Sequence, residues 1–387
     1  MPYAQIGISE NDTPEHAKLA LQTARESIVL LKNEGLLPLS RNKIKRILVI
    51  GTNAMSVPML LGNYHGTAST PITILDGIKS VAGHAIEVTY ETGCPLARLK
   101  DATNESNAST ISNAVIAVRS ADVVIYVGGL SPSLEGEDMR VDFDGFAGGD
   151  RTRIELPAPQ TELLRALHAT GKPIVFVNCS GSAVAMPWAA KNLPAILQAW
   201  YPGEAGGRAV AEVLFGEINP AGRLPVTFYS ATEELPAFEN YAMSNRTYRY
   251  FGGKPEFAFG HGLSFTRFKY SEPQLAAAKV SAGETLKLSF TITNIGSRDG
   301  DEVAQVYFHR KNSQPADARQ ALCGFARVHI AKEKTTNVSL AIPLERLRTW
   351  NTSEKQYVVE PGAYELLIGA ASADSAPRLP LEVIATN

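Results

Sequence analysis

A polar loop rich in carboxylates and glycines follows the apolar run at residues 123–127. It contains Glu135 and Glu137, which a single glycine separates, and it continues to Asp150 and Arg151. Cleavage of a glycosidic bond needs a carboxylic acid that protonates the leaving oxygen, beside a second carboxylate. Acidic, glycine-rich loops are also common as solvated surface loops. The spacing therefore predicts either an acid–base site or an ordinary surface loop.

Other patterns that could carry chemistry fit less well. Gly128 and Gly129 follow a strand-like run but lack the third glycine of a dinucleotide-binding turn. Ser180 and Ser182 flank a glycine without forming the Gly-x-Ser-x-Gly elbow of serine hydrolases. The seven histidines show no metal-ligand spacing. We therefore predict no metal and no other cofactor.

The elements that position the acidic loop alternate between helix and strand. Thr13 before Pro14 predicts a helix start, and apolar residues at helical spacing continue through Leu31 to a C-cap at Gly35. Ligands of an open α/β sheet bind beyond the carboxyl ends of its strands, where the acidic loop begins. The predicted fold class is α/β, with a doubly wound, mostly parallel sheet (an α/β sandwich). Its strands are predicted at 47–51, 86–90, 123–127, 173–177 and 195–199.

The pattern changes after Phe228, where helical periodicity stops. Proline, glycine and aromatic residues crowd the segment 235–270. Alternating runs at 286–292, 303–307 and 364–368 then predict an all-β sandwich of immunoglobulin or fibronectin type III-like form. The predicted domains are therefore 1–234, an ordered connector at 235–270, and 271–387.

Composition limits the class of partner. Of 387 residues, 44% are hydrophobic and 20% charged, and the formal net charge is −2. This balance predicts a globular chain without a basic field for nucleic acid or anionic lipid. No apolar run approaches the roughly 18 residues of a membrane span, and the three cysteines predict no disulfide framework. The N-terminus lacks a signal-peptide pattern, so no export signal is predicted and the location stays open.

Several segments, in the right order, resemble glycoside hydrolase family 3, closest to its β-xylosidase and β-glucosidase branch. Gly-Leu-Ser-Pro-Ser-Leu-Glu-Gly-Glu at 129–137, with Gly-Asp-Arg-Thr at 149–152, resembles the acid/base loop of the family. The resemblance implies an exo-acting, retaining β-glycosidase that hydrolyses terminal non-reducing sugars of oligosaccharides or of aryl and alkyl β-glycosides. The other resembling segments lie at 24–33, 201–207, 222–228, 246–251 and 259–265.

The resemblance covers only part of such an enzyme. Family members begin with a (β/α)8 barrel that carries an aspartate nucleophile, and this chain resembles the part that follows. We therefore expect it to need a barrel, in cis or in trans, for activity. The resemblance implies Glu135 or Glu137 as the acid/base, with Glu135 ahead because the loop aligns on it without a gap. Arg151 and Asp150 are the predicted substrate-binding residues, with Arg151 neutralising or orienting the carboxylate. The alternative for Arg151 is a surface ion pair with Asp150. The alternative is a non-catalytic carbohydrate-binding or protein-interaction module.

A loop that lacks its barrel would also lack a packing partner. We therefore expect the apolar residues of segment 129–153 to be exposed, unless they fold back onto their own domain. These residues are Leu134, Met139, Phe143 and Phe146.

Overall fold

Contacts between Cα atoms divide the chain into two units. The first unit is Met1–Gly222 with Ser230–Thr232, and the second is Arg223–Tyr229 with Glu233–Asn387. The structure is a computed structural model that describes residues 2–101, 105–312, 317–373 and 375–385. The boundaries at residues 234 and 270 stay a prediction.

The first unit alternates helices with strands. Its helices are α1 (Pro14–Ser27), α2 (Val57–Leu61), α3 (Ile74–Ala82), α4 (Glu105–Val118), α5 (Ala158–His168), α6 (Pro187–Asn192) and α7 (Gly206–Leu214). Its strands are β1 (Val29–Asn33), β2 (Arg46–Ile50), β3 (Glu87–Glu91), β4 (Val123–Gly129), β5 (Phe146–Ala147), β6 (Asp150–Arg151), β7 (Ile174–Cys179) and β8 (Ala195–Gln198).

Six of these strands form one sheet in the order β1-β8-β7-β4-β2-β3. Strands β2, β3, β4, β7 and β8 pair in parallel, and β1 pairs antiparallel with β8. Every residue of β4, β7 and β8 is buried. Strands that are mostly apolar and buried along their whole length are typical of a parallel sheet covered on both faces. The predicted α/β class with a mostly parallel sheet is confirmed.

The first helix begins as predicted but ends earlier. The Thr13 hydroxyl accepts a hydrogen bond from the His16 backbone N–H at 3.3 Å, which caps α1. The predicted continuation through Leu31 is wrong, because α1 ends at Ser27 and β1 follows. The first three residues of β1 are all buried. A surface helix buries only one face, whereas a strand paired with β8 can bury consecutive apolar residues.

Helices α3 and α7 cross at two glycines. A Cβ added to Gly77 would lie 2.0 Å from the Gly207 carbonyl oxygen. A Cβ added to Gly207 would lie 2.0 Å from the carbonyl oxygen of Thr73, the N-cap residue of α3. The two helices therefore pack backbone against backbone, and only glycine fits at the crossing.

The second unit is a β-sandwich. One sheet has the order β10-β18-β17-β12-β13 and the other the order β14-β11-β9. Burial alternates along β11, and the buried residues of both sheets form one core. This confirms the predicted fibronectin type III-like class. Its elements are α8 (Thr247–Tyr250), β9 (Phe268–Leu275), β10 (Lys279–Ser281), β11 (Thr285–Asn294), β12 (Gly300–Arg310), β13 (Ala321–Ile330), β14 (Thr335–Pro343), β15 (Thr349–Asn351), β16 (Gln356–Val358), β17 (Gly362–Gly369) and β18 (Ser375–Ile384).

Within residues 2–101, 105–312, 317–373 and 375–385, each helix is too short or too polar to span a lipid bilayer.

Candidate active site

The acidic loop leaves the sheet at the carboxyl end of β4, where two buried amides hold its first residues. The Asn53 side chain donates to the carbonyl oxygens of Gly128 (3.1 Å) and Leu130 (2.9 Å). The Gln160 side chain accepts from the Gly129 N–H and donates to its carbonyl oxygen, both at 2.7 Å. Gly129 has a φ of +101°, and a Cβ there would lie 2.2 Å from a backbone oxygen of β7. The loop therefore starts from a fixed point at the carboxyl edge of the sheet.

The loop then folds back on its own domain. Backbone hydrogen bonds of 3.2 and 3.3 Å join residues 136 and 139 to residues 149 and 148, and β5 pairs with β6. These contacts turn the apolar side chains inward. The expected exposure is therefore wrong: Leu134 and Phe146 are buried, and Met139 and Phe143 are half-buried.

Two donors hold the carboxyl group of Glu135, which is half-buried. The Tyr201 hydroxyl donates to Oε2 at 2.8 Å, and the Gly181 backbone N–H reaches the same oxygen at 3.3 Å. The Asn63 amide donates to the Glu135 main-chain oxygen at 2.9 Å. Segments that follow β4, β7 and β8 thus meet at this side chain. In the described part of the chain both hydrogen bonds to the carboxyl group end on Oε2, which leaves Oε1 for a ligand.

Glu137 has a different partner and a different environment. It is exposed, and its Oε2 accepts a hydrogen bond of 2.5 Å from the hydroxyl of Tyr64, which is itself 84% exposed. The hydrogen bond and the charge of Glu137 raise the pKa of Tyr64. The structure therefore separates the two predicted glutamates, because only Glu135 is held at the carboxyl ends of several strands.

Arg151 and Asp150 are neighbours in β6 but lie in different environments. The Arg151 Nη1 donates to the Ser182 hydroxyl at 2.9 Å and to the Ala183 carbonyl oxygen at 2.6 Å. Burial lowers the pKa of Arg151, and the charge of Glu135 opposes that lowering. The Arg151 Nη2 atom is buried, with no hydrogen-bond partner among the described residues. Arg151 is therefore hydrogen-bonded to the segment after β7, whereas Asp150 is exposed.

The spacing of residues in the sequence gives no role to Tyr201 or Gly181. Tyr201 belongs to the segment 201–207 that resembles the family, and Gly181 fits an ordinary turn between a strand and a loop. The signal that could have found both is position, because each follows an apolar strand run at the predicted carboxyl edge.

The site is therefore built around one carboxyl group with a free oxygen. Such a group can carry a proton at Oε1 and exchange it with a ligand oxygen. Across the ranges that the structure describes, no three His, Cys, Asp or Glu side chains group where a metal ion could bind.

Fold and site together define a class: a doubly wound α/β domain with a held glutamate at its carboxyl edge, followed by a fibronectin-like sandwich. Residues 28–265 match the glycosyl hydrolase family 3 C-terminal domain, and residues 302–372 match a fibronectin type III-like domain. The chain belongs to glycosyl hydrolase family 3, which confirms the resemblance carried by its sequence motifs.

The relatives are enzymes of about twice this length. The chain is 34% identical to a β-xylosidase from Formosa agariphila, over 97% of this chain and 51% of the relative. It is 32% identical to a xylan 1,4-β-xylosidase from Xylanibacter ruminicola, over 96% of this chain and 58% of the relative. It superposes on a β-glucosidase from Erythrobacter marinus with a TM-score of 0.84 and 32% identity. That superposition covers 97% of this chain and 51% of the β-glucosidase. The chain thus spans about half the length of the relatives it matches.

Proposed function

We propose that this chain supplies the acid/base carboxyl group of a retaining, exo-acting β-glycosidase that removes terminal β-linked xylosyl or glucosyl residues. The observation that carries the proposal is the Glu135 carboxyl group, held through Oε2 at the carboxyl edge of the sheet with Oε1 left for a substrate. The names of the relatives support the substrate class. Family membership favours a hydrolase over the alternative of a non-catalytic module.

The reaction needs a second carboxylate from outside the described site. In the part of the relatives that this chain does not span, the family resemblance implies a barrel with an aspartate nucleophile, in cis or in trans. That aspartate attacks the anomeric carbon while Glu135 donates its proton to the leaving oxygen. Glu135 then takes a proton from the incoming water, which cleaves the glycosyl-enzyme bond. The two carboxyl groups would stand about 5–5.5 Å apart, as retention requires.

The surroundings favour Glu135 over Glu137 as the acid/base. A general acid must hold one geometry at the leaving oxygen, and Glu135 is held by donors that follow β7 and β8. Glu137 contacts an exposed tyrosine, and such surface contacts contribute little. Substrate binding by Arg151 stays a prediction, because its Nη2 is buried and its Nη1 donates to the segment after β7. Asp150 stays a prediction for the same role.

The experiment combines this chain with the barrel half of the Formosa agariphila β-xylosidase, supplied in trans or as a fusion. Hydrolysis of nitrophenyl β-xyloside and β-glucoside is measured for the wild type, Glu135→Gln and the matched control Glu137→Gln. We expect turnover with the barrel half, and a loss of about 10²–10⁴-fold in Glu135→Gln only. Added azide should rescue Glu135→Gln as the glycosyl azide, because azide needs no general base. No turnover in any combination, or a larger loss in Glu137→Gln, would contradict the proposal.

A further inference from the structure

A sharp turn after β8 fixes the ring of Tyr201. Trp200 has a φ of +62°, in the left-handed region that bulky residues rarely adopt, and its indole N–H donates to the Ser27 carbonyl oxygen at 3.1 Å. Two glycines border one edge of the Tyr201 ring. A Cβ on Gly62 would lie 3.3 Å from the ring, and a Cβ on Gly181 would lie 3.1 Å from it. The ring therefore has little room to move, and its hydroxyl is aimed at one point.

That point is one particular oxygen of Glu135. The Tyr201 hydroxyl and the Gly181 N–H both reach Oε2, at 2.8 and 3.3 Å. Burial, then the charge of Glu135 and the hydrogen bond to it, raises the pKa of Tyr201 far above its usual range, so the phenol keeps its proton. A backbone N–H can only donate. A proton on Oε2 would face the Gly181 N–H, which cannot turn round to accept it, so a proton on this carboxyl group is favoured on Oε1.

We infer that Tyr201 is a positioning residue that determines which oxygen of Glu135 carries the transferred proton. The inference rests on the proposed function. In the first step the O–H bond at Oε1 breaks and the leaving oxygen gains that proton as its bond to the anomeric carbon breaks and the nucleophile bonds to that carbon. The Tyr201 hydroxyl stabilises the carboxylate that remains. In the second step water gives a proton back to Oε1, and its oxygen bonds to the anomeric carbon as the bond to the nucleophile breaks.

Carboxyl-carbon NMR of this chain, labelled with 13C at glutamate Cδ, tests the inference without any turnover. Glu135→Gln identifies the Glu135 signal by its loss. Tyr201→Phe keeps the ring and removes one donor to the carboxylate, which disfavours the charged form. We therefore expect the Glu135 carboxyl signal of Tyr201→Phe to change with pH at a higher pH than the same signal of the wild type. Arg151, the cation that acts on this carboxyl group, is unchanged in the variant.

The matched control is Tyr64→Phe, which removes a tyrosine hydroxyl that bonds the other glutamate of the loop. It should leave the Glu135 midpoint at its wild-type position. A Glu135 midpoint that is the same in Tyr201→Phe and wild type would overturn the inference. An equal rise in both tyrosine variants would overturn it as well.

A kinetic measurement on the chain joined to the barrel half separates this inference from the proposed function. Tyr201→Phe should slow the hydrolysis of an alkyl β-xyloside, whose leaving group needs a proton, by about 10-fold. The leaving group of a dinitrophenyl β-xyloside departs without protonation, so kcat/KM for this substrate, which reports the first step alone, should stay within twofold of the wild-type value. Equal slowing of both substrates indicates a merely structural role and overturns the inference. If instead Glu135→Gln shows no such selectivity, the proposed function fails, whatever the NMR result for Tyr201→Phe.

Discussion

Glu212 of α7 is a buried carboxylate between two arginines, and its neutralisation should destabilise the first unit. Its side chain is 2% exposed, and the Arg25 guanidinium binds it with two hydrogen bonds of 2.6 and 2.7 Å. Arg208 adds a third at 2.7 Å. In α1, which the structure describes completely, Ala24 is the single buried residue. The position of α1 against α7 therefore depends strongly on this carboxylate.

The size of the stability loss in Glu212→Gln follows from how exposed Arg25 and Arg208 are. Removing one member of a buried ion pair costs about 3–5 kcal/mol when the other charge stays buried. Here the side chains of Arg25 and Arg208 are 37% and 43% exposed, so water can solvate them once the carboxylate is gone. We therefore expect Glu212→Gln to cost about 2–3 kcal/mol, below that range. A domain of this size would lose about 5–10 °C of melting temperature.

The stability loss in Glu212→Gln should be larger at neutral pH than at acidic pH. Burial raises the pKa of Glu212, but hydrogen bonds and charges from Arg25 and Arg208 outweigh burial and hold the pKa below its ordinary value of 4.5. A carboxyl group with a lowered folded-state pKa stabilises the fold above its unfolded-state pKa. That stability is lost as the pH falls through the folded-state pKa. The difference in unfolding free energy between wild type and Glu212→Gln should therefore be largest near pH 7 and should shrink below about pH 4.5.

Urea unfolding at several pH values measures both effects. The matched control is Glu87→Gln, whose salt bridge to Arg46 joins side chains that are 62% and 59% exposed. We expect the control to change the unfolding free energy by about 0.5 kcal/mol or less. Hydrogen exchange should show faster opening of α1 in Glu212→Gln only. A cost below about 1 kcal/mol, or one that stays constant from pH 7 to pH 3, would refute the reasoning.

Two further predictions concern the packing that carries the site. Gly207→Ala should unfold the first unit or lower its melting temperature by more than 10 °C, which corresponds to about 3 kcal/mol or more. The reason is that the added Cβ would lie 2.0 Å from the carbonyl oxygen of the α3 N-cap. The control Gly66→Ala has open space around it and should change the melting temperature little. Asn53→Ala should cost about 2–3 kcal/mol in urea unfolding, because it leaves two buried carbonyl oxygens at the start of the acidic loop without their donor; an unchanged unfolding midpoint would contradict this.

The sequence alone determined the architecture and the place of the acidic loop in it. Apolar runs such as 123–127 predicted the buried strands, because a parallel sheet covered on both faces excludes polar residues from its centre. Thr13 and Pro14 predicted the start of α1, because capping is a local interaction between residues three apart. The acidic loop that follows β4 was also predicted, since a strand's carboxyl end is fixed by chain direction.

Tertiary structure decided everything that depends on distant partners. Val29–Asn33 continues a helical pattern in the sequence, yet it pairs with β8, about 165 residues further along the chain, because burial of consecutive apolar residues outweighs local helical preference. Glu135 meets Tyr201, which lies 66 positions away, only because β4 and β8 end at the same edge of one sheet. That contact with Tyr201 is what distinguishes the surroundings of Glu135 from those of Glu137. The two glutamates are the same residue type two positions apart, and only folding gives them different neighbours.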